Sequence, residues 1–365
     1  MLTIAALLVA GLVLLVVGGE LLLRGASKLA VSLGISPLVI GLTVVAFGTS
    51  SPELAVSLQA VLAGQVDIAI GNVVGSNVFN VLFILGVSAA ITPLVVAGQM
   101  IRQEVPVMVG VSLLLLALAL DGGIARWDGL LLVALLAGYT VFVIRQSRRE
   151  TRALQEEYAG EFHIAASASW DDRLWAQALL IAGGLVLLVV GSRWLVAAAI
   201  AVAEAAGVSE LVIGLTVVAA GTSLPEVAAS IGAALKGQRD IAVGNVVGSN
   251  IFNILGVLGI SAAVAPTALT VAPSMLRFDL LVMIAVALAC LPVFFTGFTI
   301  ARWEGWLFLF YYVAYTGYLV LQAQAHDALG TYKLVFTTFV LPLTAITLAV
   351  VAFRARRAAP PRAQG

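Results

Sequence analysis

The chain has 365 residues, of which 62% are hydrophobic and only 10% charged, with 19 basic and 19 acidic side chains and no formal net charge. That balance excludes an ordinary soluble domain and gives no electrostatic ground for a nucleic-acid partner. A single cysteine, Cys290, and two histidines, His163 and His326, both in polar connections, exclude a disulfide and a zinc cluster.

Apolar stretches long enough to cross a hydrocarbon core, about 20 residues each, occupy 2–31, 37–63, 68–91, 104–120 and 128–145. The first 23 residues hold neither Lys nor Arg, so the opening run lacks the basic region of a cleaved signal and reads as a retained span. Residues 1–145 thus form a first unit of five spans. A polar connection over 146–174, rich in Arg and Glu, reads as a solvated cytoplasmic loop with room for a short helix. Further spans follow at 175–203, 210–235, 240–263, 276–297 and 303–322, a second unit over 175–322. One more apolar helix is expected within 323–353, ahead of a basic tail at 354–365.

The two units are copies. GLTVVAFGTSSPELAVS from Gly41 returns as GLTVVAAGTSLPEVAAS from Gly214, and GNVVGSNVFN from Gly71 returns as GNVVGSNIFN from Gly244. Both pairs share an offset of 173 residues, which matches Glu53 with Glu226. Weaker echoes place Arg126-Trp127-Asp128 opposite Arg302-Trp303-Glu304, and Arg102 and Glu104 opposite Arg277 and Asp279. An odd number of crossings per copy inverts the second copy, so the expected fold is an all-α polytopic membrane protein of two inverted five-helix repeats plus one extra C-terminal helix. Counting Lys and Arg in the connections favours an N-terminus outside and a C-terminus in the cytoplasm of a cell membrane.

Each copy carries GTS-x-PE inside an apolar segment. A carboxylate there costs several kcal/mol, so two at equivalent positions mark a polar site. Pro52 and Pro225 withhold the N–H that would bond the carbonyls of Gly48 and Gly221, loosening one turn in each copy and freeing carbonyls near Ala46 and Ala219. Thr49 and Glu53 share a helical face with Ser50 alongside, as do Thr222, Ser223 and Glu226. In the second motif Asn72, Ser76 and Asn80 follow one another at i, i+4, as do Asn245, Ser249 and Asn253. All these donors are hard oxygens, the preference of Ca²⁺, and two carboxylates balance one Ca²⁺ or two monovalent cations. For the Asn and Ser stripes, plain interhelical hydrogen bonding is the alternative, and it divides the reading of Asn72 and Asn245 evenly. Asp67 and Asp240 read as helix caps, and Glu20 and Arg193, equivalent positions of opposite charge, as an ion pair or gate.

The doubled motifs GTSSPE with GNVVGSNVFN and GTSLPE with GNVVGSNIFN resemble the paired α-repeats of the sodium/calcium exchanger family, within the cation/calcium antiporter superfamily. The resemblance implies a secondary antiporter rather than an enzyme, with Na⁺ and Ca²⁺ as transported ions and no cofactor. It implies alternating access, with the first and sixth spans sliding against a core. It also implies Glu53 and Glu226 as shared ligands, completed by Thr49, Ser50, Thr222, Ser223, Ser76, Asn80, Ser249, Asn253 and the carbonyls of Ala46 and Ala219. Potassium-dependent relatives carry Asp where this chain has Asn253, so potassium co-transport is disfavoured. Proton/calcium exchange at the same site is the alternative, because buried carboxylates take up protons as readily as sodium. An intramembrane protease would need Ser with His, or paired Asp, within spans, and a channel would not need matched broken helices.

Overall fold

The computed structural model describes residues 2–158, 171, 173–205, 219–324, 326, 328–347 and 349. The motif stretch 214–218, His163 and the tail at 354–365 lie outside them. The first half comprises α1 (Leu2–Leu33), α2 (Pro37–Thr49), α3 (Ser51–Leu62), α4 (Val66–Ile91), α5 (Met100–Ala119) and α6 (Arg126–Tyr158). The second comprises α7 (Leu174–Ala205), α8 (Ala219–Thr222), α9 (Leu224–Leu235), α10 (Arg239–Val264), α11 (Met275–Phe295) and α12 (Arg302–Ala323). A last helix, α13 (Leu329–Thr347), packs on α12 through Tyr311, whose hydroxyl bonds Thr344, and Tyr332, whose hydroxyl bonds the Ala314 carbonyl.

Among the described residues eight helices are long and apolar enough to cross a membrane, nine when α2 and α3, bent by 43° at their junction, count as one span. The chain is a multi-pass membrane protein, and ten core spans plus one agree with this architecture. Large apolar side chains such as Val9, Val16, Leu130 and Phe142 are exposed along α1 and α6, as lipid-facing positions require, while Trp127, Trp175, Trp303 and Trp306 stand exposed near helix starts, where interfacial aromatics collect. The fifth span is longer than its apolar stretch. α6 does not stop at Arg145 but continues to Tyr158, so the helical part of the polar connection, 146–158, is an extension of the fifth span. Hydropathy marks where lipid contact ends, whereas Arg, Gln, Glu, Ala and Leu sustain a helix beyond that point.

Four two-residue strands reveal how the halves interlock. β1 (Leu94–Val95), after α4, pairs antiparallel with β4 (Thr299–Ile300), before α12; β2 (Gly123–Ile124), before α6, pairs with β3 (Leu269–Thr270), after α10. Each clip joins one half to the other, and the two are related by the repeat. The Arg-Trp echo gains a physical meaning here: Arg126 donates to the Ala265 carbonyl at the end of α10 (3.0 Å), and Arg302 to the Ile91 carbonyl at the end of α4 (3.3 Å). Each arginine therefore caps a helix C-terminus of the opposite half. One residue pair on, Asp128 and Glu304 accept from the backbone N–H of Ala125 and Ala301, starting their own helices.

Outside this core α1 and α7 run side by side, tied at one end by Gln177 to Ser32 (2.7 Å) and by Arg24 to Asp171 (2.8 Å). Their contact is backbone on backbone. A Cβ added to Gly18 would meet the Gly184 carbonyl at 2.8 Å, and one added to Gly11 the Gly191 carbonyl at 2.9 Å. Glycines spaced by seven on both helices permit this approach. The pair suspected from sequence between Glu20 and Arg193 does not form; Glu20 bonds Lys236, at the end of α9. Equivalence under the repeat gives no contact here because α1 and α7 run antiparallel with Gly18 against Gly184 and Gly11 against Gly191, which sets Glu20 and Arg193 at different levels along the pair. Asp67 and Asp240 are likewise second residues of α4 and α10, after the N-cap positions Gln65 and Gln238, so they face the positive end of the helix rather than cap it.

Candidate functional site

Thr-Ser-x-Pro sets the local geometry. α2 ends at Thr49, Ser50 leaves helical conformation at φ −82° and ψ 8°, and the helix restarts at Ser51 with Pro52 in its first turn. In the second half Ser223, at φ −90° and ψ 10°, separates α8 from α9 in the same way. Proline suits a first turn because its missing N–H has no intrahelical partner there. Each break thus lifts a hydroxyl and, three residues later, a carboxylate out of the helix ladder.

The breaks face one another and trade bonds. Ser50 Oγ donates to Glu226 Oε1 at 2.8 Å, and Ser223 Oγ lies 2.8 Å from Glu53 Oε1. Ser223 Oγ is also 3.2 Å from Ser76 Oγ, which brings α4 into the group. Thr49 Oγ1 is 3.2 Å from Asn245 Oδ1, and Thr222 Oγ1 is 3.4 Å from Asn72 Oδ1. Asn72 in turn donates to Ser57 Oγ (2.9 Å) and the Glu53 carbonyl (3.1 Å); Asn245 does the same toward Ser230 (2.9 Å) and the Glu226 carbonyl (3.5 Å). Asn72 and Asn245 are therefore struts that tie the third span of each half to its own broken helix and to the other half's threonine. The Ala46 carbonyl accepts from Ser50 N–H (3.0 Å) and lies 3.4 Å from Thr49 Oγ1, while Ala219 opens α8.

α4 and α10 each switch from α to π hydrogen bonding at an asparagine, over Asn80–Leu85 and Asn253–Leu258. Such bulges release backbone groups and turn side chains off the regular helical face. Asn80 Nδ2 donates to Asn250 Oδ1 (3.0 Å), and Asn253 Nδ2 to Asn77 Oδ1 (3.1 Å). Asn77 and Asn250 escaped the sequence reading, which followed the i, i+4 stripes; their identity in both copies of the motif was the available signal.

Thr49, Ser50, Glu53, Asn80, Ser223, Glu226, Ser249 and Asn253 are all fully buried, and Ser76 nearly so. Within this satisfied network a few acceptors stand out. Glu53 Oε2, Glu226 Oε2, Asn80 Oδ1 and Asn253 Oδ1 have no hydrogen-bond partner, and neither has Ser249 Oγ. Buried acceptors left unpaired are costly, and two buried carboxyls without a cationic side chain are more so. Na⁺, Ca²⁺ or protons would relieve both costs. The set consists of hard oxygens only, and no group of three or more His, Cys, Asp or Glu occurs among the described residues, so a soft transition metal has no cage here.

Comparison with known proteins agrees with this chemistry. A family model described as sodium/calcium exchanger protein matches residues 3–145 and 176–321, one segment per half. The chain is 40% identical over 296 residues to the putative antiporter CaxA of Alkalimonas amylolytica, covering 80% of this chain and 89% of that one. It is 35% identical over 346 residues to the sodium/calcium exchanger MaX1 of Methanosarcina acetivorans, covering 85% and 96%. Among solved structures, the sodium-calcium exchanger NCX_Mj, soaked with zero Na⁺ and Ca²⁺, is similar with a TM-score of 0.72 at 29% identity, over 86% of this chain and 97% of that one. α13 lies beyond the family match.

Proposed function

Because the chain belongs to the sodium/calcium exchanger family, we propose that it drives Ca²⁺ across the membrane against Na⁺, both ions using the site between the two broken spans in turn. As a member of that family it is a cation/calcium antiporter, and the finer reading concerns the coupling ion and the ligands. The observation that carries it is the two-fold set of unpaired buried oxygens, Glu53 Oε2, Glu226 Oε2, Asn80 Oδ1 and Asn253 Oδ1. A carboxylate pair balances one Ca²⁺ or two Na⁺, so cargo and driver compete, and Ca²⁺ tolerates the irregular mixture of carboxylate, amide and hydroxyl oxygens found here. Thr49, Ser50, Ser76, Thr222, Ser223 and Ser249 complete the coordination in this proposal. The Ala46 carbonyl joins only if it gives up its two present bonds, and Ala219 is its counterpart.

Transport follows by alternating access. α1 and α7, packed on each other through glycine backbone, move as a pair against α4, α5, α10 and α11, and the clips β1–β4 and β2–β3 hold the two halves of that core together. The surplus of Lys and Arg in alternate connections supports an N-terminus outside and a C-terminus inside.

Calcium uptake into vesicles holding the purified protein tests the coupling ion. An outward sodium gradient should stimulate uptake, and an equal proton gradient at matched sodium should not. Stimulation by protons alone would assign the same site to proton/calcium exchange.

A further inference from the structure

Pro225 withholds the N–H that would have bonded the Gly221 carbonyl. Another helix supplies the missing donor: Ser192, buried on α7, places its Oγ 2.6 Å from the Gly221 carbonyl oxygen. That carbonyl belongs to the residue before Thr222 and Ser223, so the bond links the helix of the moving pair to the break that carries the second half's ion-site hydroxyls. The repeat offset of 173 assigns Ser192 and Gly221 the counterparts Gly19 and Gly48. Gly19 has no hydroxyl, and its nearest contact is the Ala228 carbonyl of α9, with a Cβ position 3.5 Å away.

The halves are used unequally in a second respect. α7 covers both breaks: a Cβ added to Gly48 would stand 2.7 Å from the Leu185 methyls, and one added to Gly221 would meet Val196. Their repeat counterparts on α1, Leu12 and Leu23, are not the atoms nearest either glycine. α1 and α7 both rest on α9. In an inverted repeat an arrangement this lopsided is one of two states related by the pseudo-two-fold axis, and the other exchanges the roles of the halves.

We propose that Ser192 is a one-sided latch that favours the state seen here. Its hydroxyl pins α7 to the second half's broken span, whereas the opposite state brings Gly19 to Gly48 and forms no such bond. Ser192 is thus a positioning residue that sets the resting balance between the two access states without touching the ion. The inference rests on the alternating-access reading above, but one arm of its test needs no transport.

Hydrogen exchange in lipid nanodiscs would compare the repeat-equivalent segments 46–54 and 219–227. Ser192→Ala should speed exchange of 219–227 relative to 46–54 by roughly fivefold, the worth of one neutral hydrogen bond, and Ser192→Thr should restore the wild-type ratio. Gly19→Ser, which has room at the β position, should slow 46–54 relative to 219–227. The second arm measures apparent calcium affinity at each face in right-side-out and inside-out vesicles. Ser192→Ala should raise it at one face and lower it at the other, since each apparent affinity scales with the population of its competent state, and Gly19→Ser should shift the ratio in the same direction. An unchanged exchange ratio, or equal loosening of both segments, overturns the latch, and so does an affected exchange ratio with equal affinity changes at both faces. If the wild type moves no calcium, the exchange reading fails and hydrogen exchange alone decides the latch.

Discussion

Asn77 and Asn250 hold each other's backbone: the amide nitrogen of Asn77 donates to the Asn250 carbonyl at 3.2 Å, and that of Asn250 to the Asn77 carbonyl at 3.3 Å. Each also accepts from the asparagine that opens the other half's π stretch, Asn253 and Asn80 respectively. The crossing of α4 and α10 is therefore fixed by four reciprocal bonds at the pseudo-two-fold axis, and the free Oδ1 atoms of Asn80 and Asn253 are aimed by them.

This crossing should be the stability centre of the core. Asn77→Ala leaves Asn253 Nδ2 buried without its acceptor, at a cost of about 1–3 kcal/mol, and Asn250→Ala should cost the same. Because the two residues form one unit, the double variant should lose clearly less than the sum of the singles. Thermal unfolding in detergent reads this directly. Strict additivity of small losses would show that the bonds do not act together.

The carboxylates should separate binding from folding. Glu53→Gln and Glu226→Gln keep a side-chain oxygen to accept from Ser223 and Ser50, so the fold should survive while half of the site's charge is lost. Calcium at about 100 times its Kd should stabilise the wild type by about 2.7 kcal/mol and should leave either variant almost unchanged. A calcium-dependent rise in melting temperature retained in both would remove the proposed ligands.

Much of this was legible because the two motifs repeat with no gap between them. An exact offset of 173 pairs Glu53 with Glu226 and forces the breaks at Pro52 and Pro225 into equivalent places, and hydropathy marks the spans around them. What could not be read depends on how two copies meet. Asn77 sits about 100° around the helix from Ser76, off the stripe that the i, i+4 spacing selects, and it gains a role only where α4 crosses α10. Glu20 and Arg193 illustrate the reverse error. Repeat equivalence suggests a contact, yet residues related by a two-fold touch only near the axis, and Glu20 pairs instead with Lys236.

That ion pair yields its own test. Glu20 and Lys236 are both partly exposed, so breaking the pair should be mild. Glu20→Lys should lower transport modestly, and adding Lys236→Glu should recover it. The exchange Glu20→Arg with Arg193→Glu should recover nothing. Rescue by the second pair in place of the first would put α1 and α7 in a different register from the one described.

That register rests on glycine. Gly184 and Gly183 are neighbours on α7, but a Cβ on Gly184 would meet Leu22 N at 2.6 Å and the Gly18 carbonyl at 2.7 Å, whereas one on Gly183 meets nothing within 4 Å among the described residues. Backbone cannot yield as a side chain can, so Gly184→Leu must push α1 and α7 apart and lose the Gln177 to Ser32 bond as well. Transport should vanish in Gly184→Leu and persist in Gly183→Leu, although both add the same apolar side chain to the same helix. A disulfide between cysteines introduced at Ser32 and Gln177 should form in Gly183→Leu as readily as in the parent and fail in Gly184→Leu. Equal tolerance of both substitutions would mean that the two helices do not move as one body on a glycine contact.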